Sequence, residues 1–188
     1  MKFFAPGFTS PTDAQSCFRG ILQALSTPGV IVSLTRSVGP PPGLSSAAAS
    51  VLLTLVDSSV SASLPEGDGA ARDWLVFHAG VRLAAPNAAD FVMARDHFDL
   101  RQLRQGTDEA PEDGATLVLD VASLENGRPY RLTGPGIETE RRVMLPLADG
   151  FIAAWRHQTH TTPRGVDVIL CHETRILGLP RGLKIEEI

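Results

Sequence analysis

The sequence predicts a single α/β domain, residues 1–188, in which helices flank a mixed β-sheet. Segments with helical and strand-like patterns alternate through the first half of the chain, as they do where helices join parallel strands. In the second half, strand-like segments follow one another with turn signals between them, which favours antiparallel hairpins. A chain of 188 residues can bury its own hydrophobic core without metals or disulfides.

The first helix is predicted over residues 10–29 and carries a single apolar stripe. Ser10 can cap it, Pro11 suits its first turn, and Pro28 with Gly29 ends it. The apolar residues recur at helical spacing: Ala14, Cys17, Phe18, Ile21, Leu22 and Leu25. The short β-branched segment that follows, residues 30–34, predicts a strand.

A second helix is predicted over residues 45–57, where apolar side chains occur almost all the way round. Its large side chains point in nearly every direction: Val51, Leu52, Leu53, Leu55 and Val56. Such a helix has no natural solvent face and must be buried on all sides. Any part left uncovered would form an apolar patch that monomers rarely tolerate. The sequence therefore predicts a homodimer that buries this helix against a second copy.

The remaining elements are predicted from hydrophobic period, β-branched content and turn residues. In the first half they are a strand at 61–64, a helix at 70–79, strands at 81–84 and 91–95, and a helix at 97–105. In the second half they are a hairpin of strands 115–124 and 129–133 across Asn126-Gly127, a helix at 151–158, a hairpin of strands 166–171 and 175–180, and an edge strand at 184–188.

Charge and hydropathy exclude two classes of partner. The net charge of −4 argues against a nucleic-acid binder, which needs a basic surplus to neutralise phosphates. The longest apolar run, residues 47–56, is about half as long as a membrane span. The N-terminal residues lack the pattern of a secretory leader, so we expect a cytoplasmic protein.

Cys17 and Cys171 both lie in apolar patterns, and we expect both to fill the core.

The segment TGPGI, residues 133–137, places two glycines one residue apart after a strand-like segment. It lacks the lysine of a Walker loop and the third glycine of a dinucleotide fingerprint, and Pro135 removes one N–H donor. We therefore favour a sharp turn with positive φ at its glycines. The alternative is an anion site completed by paired arginines, for which the candidate residues are Thr133, Gly134, Gly136, Arg141 and Arg142.

Histidines and strand-borne acids are the other candidates for a site. His157 and His160 have the spacing of a helical metal pair, but no third ligand accompanies them, so we expect no metal. His78 is interpreted as a hydrogen-bonded, partly buried residue. Asp120 and Asp167 each interrupt an apolar strand and must face water or accept from a donor. Asp167 follows a loop at the end of its strand, and we take it as the better candidate for ligand binding.

The lysine count bears on cofactor chemistry. Lys2 and Lys184 are the only lysines among 17 lysine and arginine residues, and they lie near the two ends of the chain. An enzyme that uses pyridoxal phosphate needs an internal lysine for its Schiff base. The sequence therefore predicts no cofactor, and we find no complete catalytic constellation in it.

Six segments spread along the chain carry a family resemblance: residues 18–34, 50–57, 114–124, 131–141, 165–170 and 176–181. Together and in order they closely resemble the PhnH family, the H subunit of the carbon–phosphorus lyase system of bacterial phosphonate metabolism. Residues 39–43 and 157–164 depart from the family pattern, which puts partner contacts through those loops in doubt.

The resemblance implies a soluble homodimer that joins the G, I and J subunits of the lyase core assembly. That assembly couples an alkylphosphonate to an ATP-derived ribose triphosphate before the carbon–phosphorus bond is cleaved. The family fold resembles a reduced pyridoxal-phosphate-dependent transferase fold without its cofactor, and no catalytic residue is carried over. Two functions stay open: an accessory subunit of this assembly, and an enzyme or subunit that binds a phosphorylated ribose or nucleotide near residues 133–142.

Overall fold

The computed structural model describes residues 5–188, which form helices and strands in alternation. The helices are α1 (Pro11–Ser26), α2 (Ser46–Leu55), α3 (Gly69–Ala79) and α4 (Phe151–Thr159). The strands are β1 (Ile31–Ser33), β2 (Ser61–Ser63), β3 (Arg82–Leu83), β4 (Phe91–Arg95), β5 (Thr116–Asp120), β6 (Arg128–Thr133), β7 (Arg141–Leu145), β8 (Asp167–His172), β9 (Arg175–Leu179) and β10 (Lys184–Glu187). Single turns of 3₁₀ helix occur at Leu100–Gln102 and Pro111–Asp113. No helix within residues 5–188 is long and apolar enough to cross a membrane.

The strands form two sheets. The larger has seven strands in the order β1-β9-β8-β5-β4-β2-β3. Its strands β8, β5, β4, β2 and β3 are parallel, whereas β9 and β1 are antiparallel to their neighbours. The smaller sheet is antiparallel in the order β10-β6-β7. The predicted mixed α/β architecture is confirmed.

Two hydrophobic cores lie on opposite faces of the larger sheet. One contains side chains of α1, α2 and α3, and the other contains side chains of α4 and the smaller sheet. Successive residues of β8 alternate between them, with Val168 and Leu170 in one core and Ile169 and Cys171 in the other. All four are fully buried. A strand buried on both faces reads as a continuous apolar run, which is how this segment reads in the sequence.

Helix α1 begins and ends near the predicted residues. The hydroxyl of Ser10 accepts a hydrogen bond from the Asp13 N–H at 3.2 Å, as a capping residue does. Only part of the predicted stripe is inside, because Phe18 and Leu22 remain 44% and 51% exposed. Ala24, outside the predicted stripe, is buried instead. Helix α1 therefore presents two apolar side chains to the exterior.

Helix α2 is covered within one chain. It packs between α1, α3 and the larger sheet, and the side chains of residues 47–52 are fully buried. Leu53 and Leu55 are half-buried against the same core. The expectation that this helix would lack cover without a second copy was therefore wrong, since neighbouring elements enclose its apolar surface.

The prediction of a helix at 97–105 is also wrong. The chain there forms a single 3₁₀ turn at Leu100–Gln102. Leu100 and Leu103 both enter the core, and the side-chain amide of Gln105 donates to their carbonyl oxygens at 2.8 and 3.0 Å. These side-chain bonds satisfy carbonyls that a continuing helix would have paired with backbone N–H groups.

The predicted hairpin across Asn126-Gly127 does not form. Strand β5 pairs with β4 and β8, so both of its edges are occupied and β6 cannot pair with it. The chain instead crosses to the smaller sheet, where β6 pairs with β7 and β10. The second predicted hairpin, β8 with β9, is confirmed. So is the edge strand, which forms β10.

One carboxylate fixes the start of α2 on the sheet. Asp120 ends β5, and its Oδ2 accepts a hydrogen bond from the Ser45 N–H at 2.7 Å. The Ser45 hydroxyl in turn caps α2 by accepting from the Ala48 N–H at 3.1 Å. Burial raises the pKa of Asp120, and the bond from Ser45 opposes that rise. Ionisation of Asp120 is therefore unfavourable in this buried position, whereas its oxygen is needed to accept the hydrogen bond from the Ser45 N–H.

We predict that Asp120→Asn and Asp120→Ala will differ in stability. Asn retains an acceptor for the Ser45 N–H, whereas Ala leaves that donor unpaired and lowers the free energy of unfolding by about 1–3 kcal/mol. A folded-state pKa above the unfolded value means that the Asp120 carboxylate makes the native chain less stable as pH rises through that pKa. Chemical denaturation should therefore show that the free energy of unfolding of Asp120→Asn, relative to that of the native chain, is higher at pH 8 than at pH 4. Equal losses for Asn and Ala would contradict this account.

Candidate functional site

The carboxyl ends of parallel strands mark the first place to look for a site. In open α/β sheets, ligands bind beyond these ends, where connections from two adjacent strands leave in opposite directions. Strands β2 and β4 are adjacent and parallel, and their connections diverge in this way. The chain leaves β2 through α3, whose buried residue Trp74 lies in the core with α1 and α2. It leaves β4 through Leu100 and Leu103, which lie in the opposite core.

A crevice of about 350 Å³ opens at this point. Apolar side chains dominate its walls, and a few polar side chains join them, as is usual for small-molecule sites. The lining residues include Ser63, Leu64, Pro65, Pro86, Arg95, His97 and Phe98. His97 and Phe98 also line an adjoining pocket of about 180 Å³ with Asp99, Arg101 and Asp149. We call the larger space the β2–β4 crevice.

One ion pair lies at the β2–β4 crevice, and another lies at the adjoining pocket. Arg95 donates through Nη2 to the carboxylate of Asp68 and to the carbonyl oxygen of Gly43, the latter at 2.6 Å. Arg101 forms an ion pair with Asp99 at 2.9 Å. Hydrogen bonds from Arg101 hold the pKa of Asp99 below its ordinary value. These cations are therefore fixed in place by acids of the same chain.

A strained turn sets the position of His97. The backbone of Asp96 has a φ of 54°, in the left-handed region that residues other than glycine rarely adopt. The N–H of His97 donates to the carbonyl oxygen of Arg95, and the N–H of Asp96 donates to that of Asp120 at 2.8 Å. The turn therefore directs the chain sharply away from β4, immediately before the two residues that line both pockets.

Sequence reasoning missed the β2–β4 crevice because its residues form no motif. They come from the end of β2, the loop after β3 and the turn after β4. The one available signal was position, since Arg95 ends the strand predicted at 91–95 and His97 follows it closely. That signal becomes specific only when the order of strands in the sheet is known.

The segment TGPGI forms a turn that packs on the end of α1. Gly134 and Gly136 have φ of 130° and 81°, so both adopt the predicted positive values. The N–H of Ile137 donates to the Gly134 carbonyl oxygen at 3.1 Å. A Cβ on Gly136 would overlap the Ser26 carbonyl oxygen and lie 2.8 Å from Pro28 Cδ. These contacts match the predicted sharp turn.

The two arginines predicted for binding each contact another residue of the chain. Arg141 donates to the carbonyl oxygen of Pro28, and Arg142 pairs with Glu140 at 3.1 Å. Thr133 lies opposite Lys184 in the smaller sheet. Their role in binding stays a prediction.

Asp167 lies at the end of its strand, as predicted, and its role in ligand binding stays a prediction. It begins β8, at the amino end of the parallel strands and away from their carboxyl ends. Its carboxylate accepts from the Arg181 N–H at 2.8 Å and from Arg181 Nη2 at 2.6 Å. Arg181 also donates to the carbonyl oxygen of Pro111. The ion pair thus joins the loop before β5 to the start of β8 and the end of β9.

His78 takes a structural place. His78 Nε2 lies 2.9 Å from the carbonyl oxygen of Ala5, which confirms a hydrogen-bonded, partly buried residue. No group of three or more histidine, cysteine, aspartate or glutamate side chains in residues 5–188 is placed to hold a metal ion.

Comparison with known proteins identifies the family. The model of the family described as bacterial phosphonate metabolism protein (PhnH) matches residues 6–186. The chain belongs to the PhnH family. It is 32% identical over 194 residues to the PhnH subunit of alpha-D-ribose 1-methylphosphonate 5-triphosphate synthase from Rhizobium meliloti, covering 98% of this chain and 96% of the relative. It is 36% identical over 176 residues to a putative C-P lyase subunit protein, HtxG, from Stutzerimonas stutzeri, covering 91% and 85%.

We predict that Gly136→Ala will destabilise this PhnH family member by about 1 kcal/mol or more, because the new Cβ meets backbone atoms at a positive φ. Gly134→Ala should be costly for the same backbone reason, with less overlap. Gly39→Ala is the matched control, since a Cβ there has no neighbour within 4 Å. Thermal melting measures all three. Stable Gly136→Ala protein that has lost binding of a phosphorylated ligand would favour an anion loop instead.

Proposed function

We propose that this chain is the H subunit of the carbon–phosphorus lyase assembly that synthesises a ribose methylphosphonate triphosphate during phosphonate use. The observation that carries the proposal is the family match over residues 6–186. The Rhizobium relative, named as a subunit of that synthase, aligns along almost its whole length. Similarity of this extent covers both cores and both sheets, so it is not confined to one motif.

We propose an accessory role for the subunit. The arginine on the rim of the β2–β4 crevice, Arg95, is neutralised by Asp68 of the same chain, which suits binding and positioning better than proton transfer. Binding of a phosphorylated ribose near residues 133–142 stays a prediction. So do the relationship of the fold to a reduced pyridoxal-phosphate-dependent transferase and the cytoplasmic location.

We further propose that the chain forms a homodimer and joins the G, I and J subunits. Apolar side chains on its helical layer support an interface, since Phe18 and Leu22 of α1 are 44% and 51% exposed and lie one turn apart. Exposed apolar side chains that cluster on one face are typical of protein–protein contacts. Helix α1 therefore replaces α2 as the surface that we expect to meet a second copy.

The homodimer is tested by Leu22→Glu, with Gln23→Glu as its neighbour-matched control on the same helix. Placing a carboxylate in an apolar interface should weaken association by at least about tenfold, which is 1.4 kcal/mol. Light scattering with size-exclusion chromatography at micromolar concentration should show a dimer for the native chain and the control, and a monomer for Leu22→Glu. A native chain that is monomeric under these conditions would remove the proposal.

The function is tested by deleting the gene in its host and growing the cells on methylphosphonate as the sole source of phosphorus. We expect no growth without the gene, full growth when it is restored, and normal growth on inorganic phosphate throughout. Tagged protein should recover the other lyase subunits from the restored strain. Normal growth of the deletion strain on methylphosphonate would show that the chain has another role.

A further inference from the structure

We propose that a second pocket, between the 3₁₀ turn at Leu100–Gln102 and α4, binds a small oxyanion that carries a short alkyl group. This pocket has a volume of about 170 Å³ and shares no lining residue with the β2–β4 crevice. We call it the α4 pocket. It is lined by Leu100, Arg101, Gln105, Ala154, His157 and Gln158. The inference rests on the proposed function, within which an alkylphosphonate is such an anion, and it assigns binding without any step of bond making.

Arg101 places a fixed positive charge at the α4 pocket. Its Nε and Nη2 donate to the two carboxylate oxygens of Asp99 at 2.9 and 3.0 Å, which fixes the plane of the guanidinium group. Its Nη1 has no acceptor within residues 5–188, and the side chain is 69% exposed. No aspartate or glutamate lines the pocket. The free N–H groups of an oriented guanidinium group suit an oxyanion.

His157 supplies a second donor to the α4 pocket. Its side chain is exposed and makes no hydrogen bond or ion pair within the described part of the chain. An imidazole can donate one N–H when neutral and two when protonated. Arg101 comes from the 3₁₀ turn and His157 from α4, so two elements offer donors to one ligand. Because His157 begins the segment 157–164, which departs from the family pattern, we assign the site to this chain and not to its relatives.

Two glutamines give the α4 pocket polar groups that are already held in place. Gln158 is only 2% exposed, and its amide accepts from the Val166 N–H at 3.0 Å and donates to the Val166 carbonyl oxygen at 3.2 Å. The amide nitrogen of Gln105 donates to two carbonyl oxygens, whereas its Oε1 accepts no hydrogen bond within residues 5–188. A singly protonated oxyanion can donate to Gln105 and accept from the second N–H of Gln158. Groups fixed in this way lose little freedom when a ligand binds.

The size and apolar walls of the α4 pocket select among anions. A volume of about 170 Å³ lies below the usual range of about 300–1,000 Å³ for drug-sized ligands, which excludes a nucleotide and admits an anion of a few heavy atoms. Leu100 and Ala154 are 1% and 7% exposed and give the pocket an apolar wall. Inorganic phosphate has no group to cover that wall, whereas a methyl group does. Methylphosphonate therefore fits better than phosphate.

Nuclear magnetic resonance on the full chain tests the site, with methylphosphonate and inorganic phosphate as probes. Phosphorus titrations measure both affinities, and saturation transfer to the methyl protons shows whether the methyl group lies against the protein. We expect methylphosphonate to bind with one-to-one stoichiometry and to receive saturation at its methyl group. Phosphate should bind about fourfold more weakly, because it lacks one methyl-sized apolar group to bury.

Three substitutions locate the binding. Arg101→Met and His157→Ala should each weaken methylphosphonate binding at least about tenfold, since each removes a donor to the anion. Arg156→Met is the matched control, because it removes the same charge as Arg101→Met from an exposed residue of α4 that does not line the pocket. It should leave the affinity unchanged. His157 is exposed, so His157→Ala should keep the native melting temperature and its loss of binding cannot be a loss of fold.

The inference is overturned if methylphosphonate does not bind at millimolar concentration, if phosphate binds as tightly, or if Arg156→Met weakens binding as much as Arg101→Met. Growth on methylphosphonate separates this inference from the proposed function. A gene that is essential for growth, and whose product does not bind methylphosphonate in this pocket, would remove the inference alone. Binding in the pocket by the product of a dispensable gene would remove the proposed function alone.

Discussion

Burial of β5 and β8 on both faces is the constraint on which the rest of the structure depends. The inner residues of both strands, from Leu117 to Leu119 and from Val168 to Cys171, are at most 1% exposed. Covering one face requires α1, α2 and α3, and covering the other requires α4 and the smaller sheet. Because the two strands are parallel, their carboxyl ends meet at one edge, where Asp120 fixes the start of α2. The same edge carries the β2–β4 crevice.

Local pattern was sufficient where one element decides its own structure. The Ser10 cap of α1, the apolar helix α2, and the short turn between β8 and β9 all correspond to features of the structure. Pattern failed where tertiary contacts decide. The Asn126-Gly127 turn signal is genuine, but both edges of β5 were already occupied by β4 and β8. Strand β7, residues 141–145, was hidden by its charged side chains, which are tolerated because alternate residues face solvent.

The site shows the same division between local and distant information. The glycines of TGPGI could be assigned positive φ from sequence, and both adopt it. The β2–β4 crevice could not be found in this way, since Ser63, Pro86 and His97 are brought together by strand order alone. The sequence placed Asp167 at an end of its strand, but a single sequence does not show that this is the amino end of the parallel strands.

The central claim is that this PhnH family member is required to make a ribose methylphosphonate triphosphate. It is tested most directly by assembling the lyase core with and without this chain and following methylphosphonate and ATP by phosphorus NMR. The account predicts that resonances of a phosphonate ester on ribose triphosphate appear only when the chain is present. Product formation at the same rate without the chain would contradict the account.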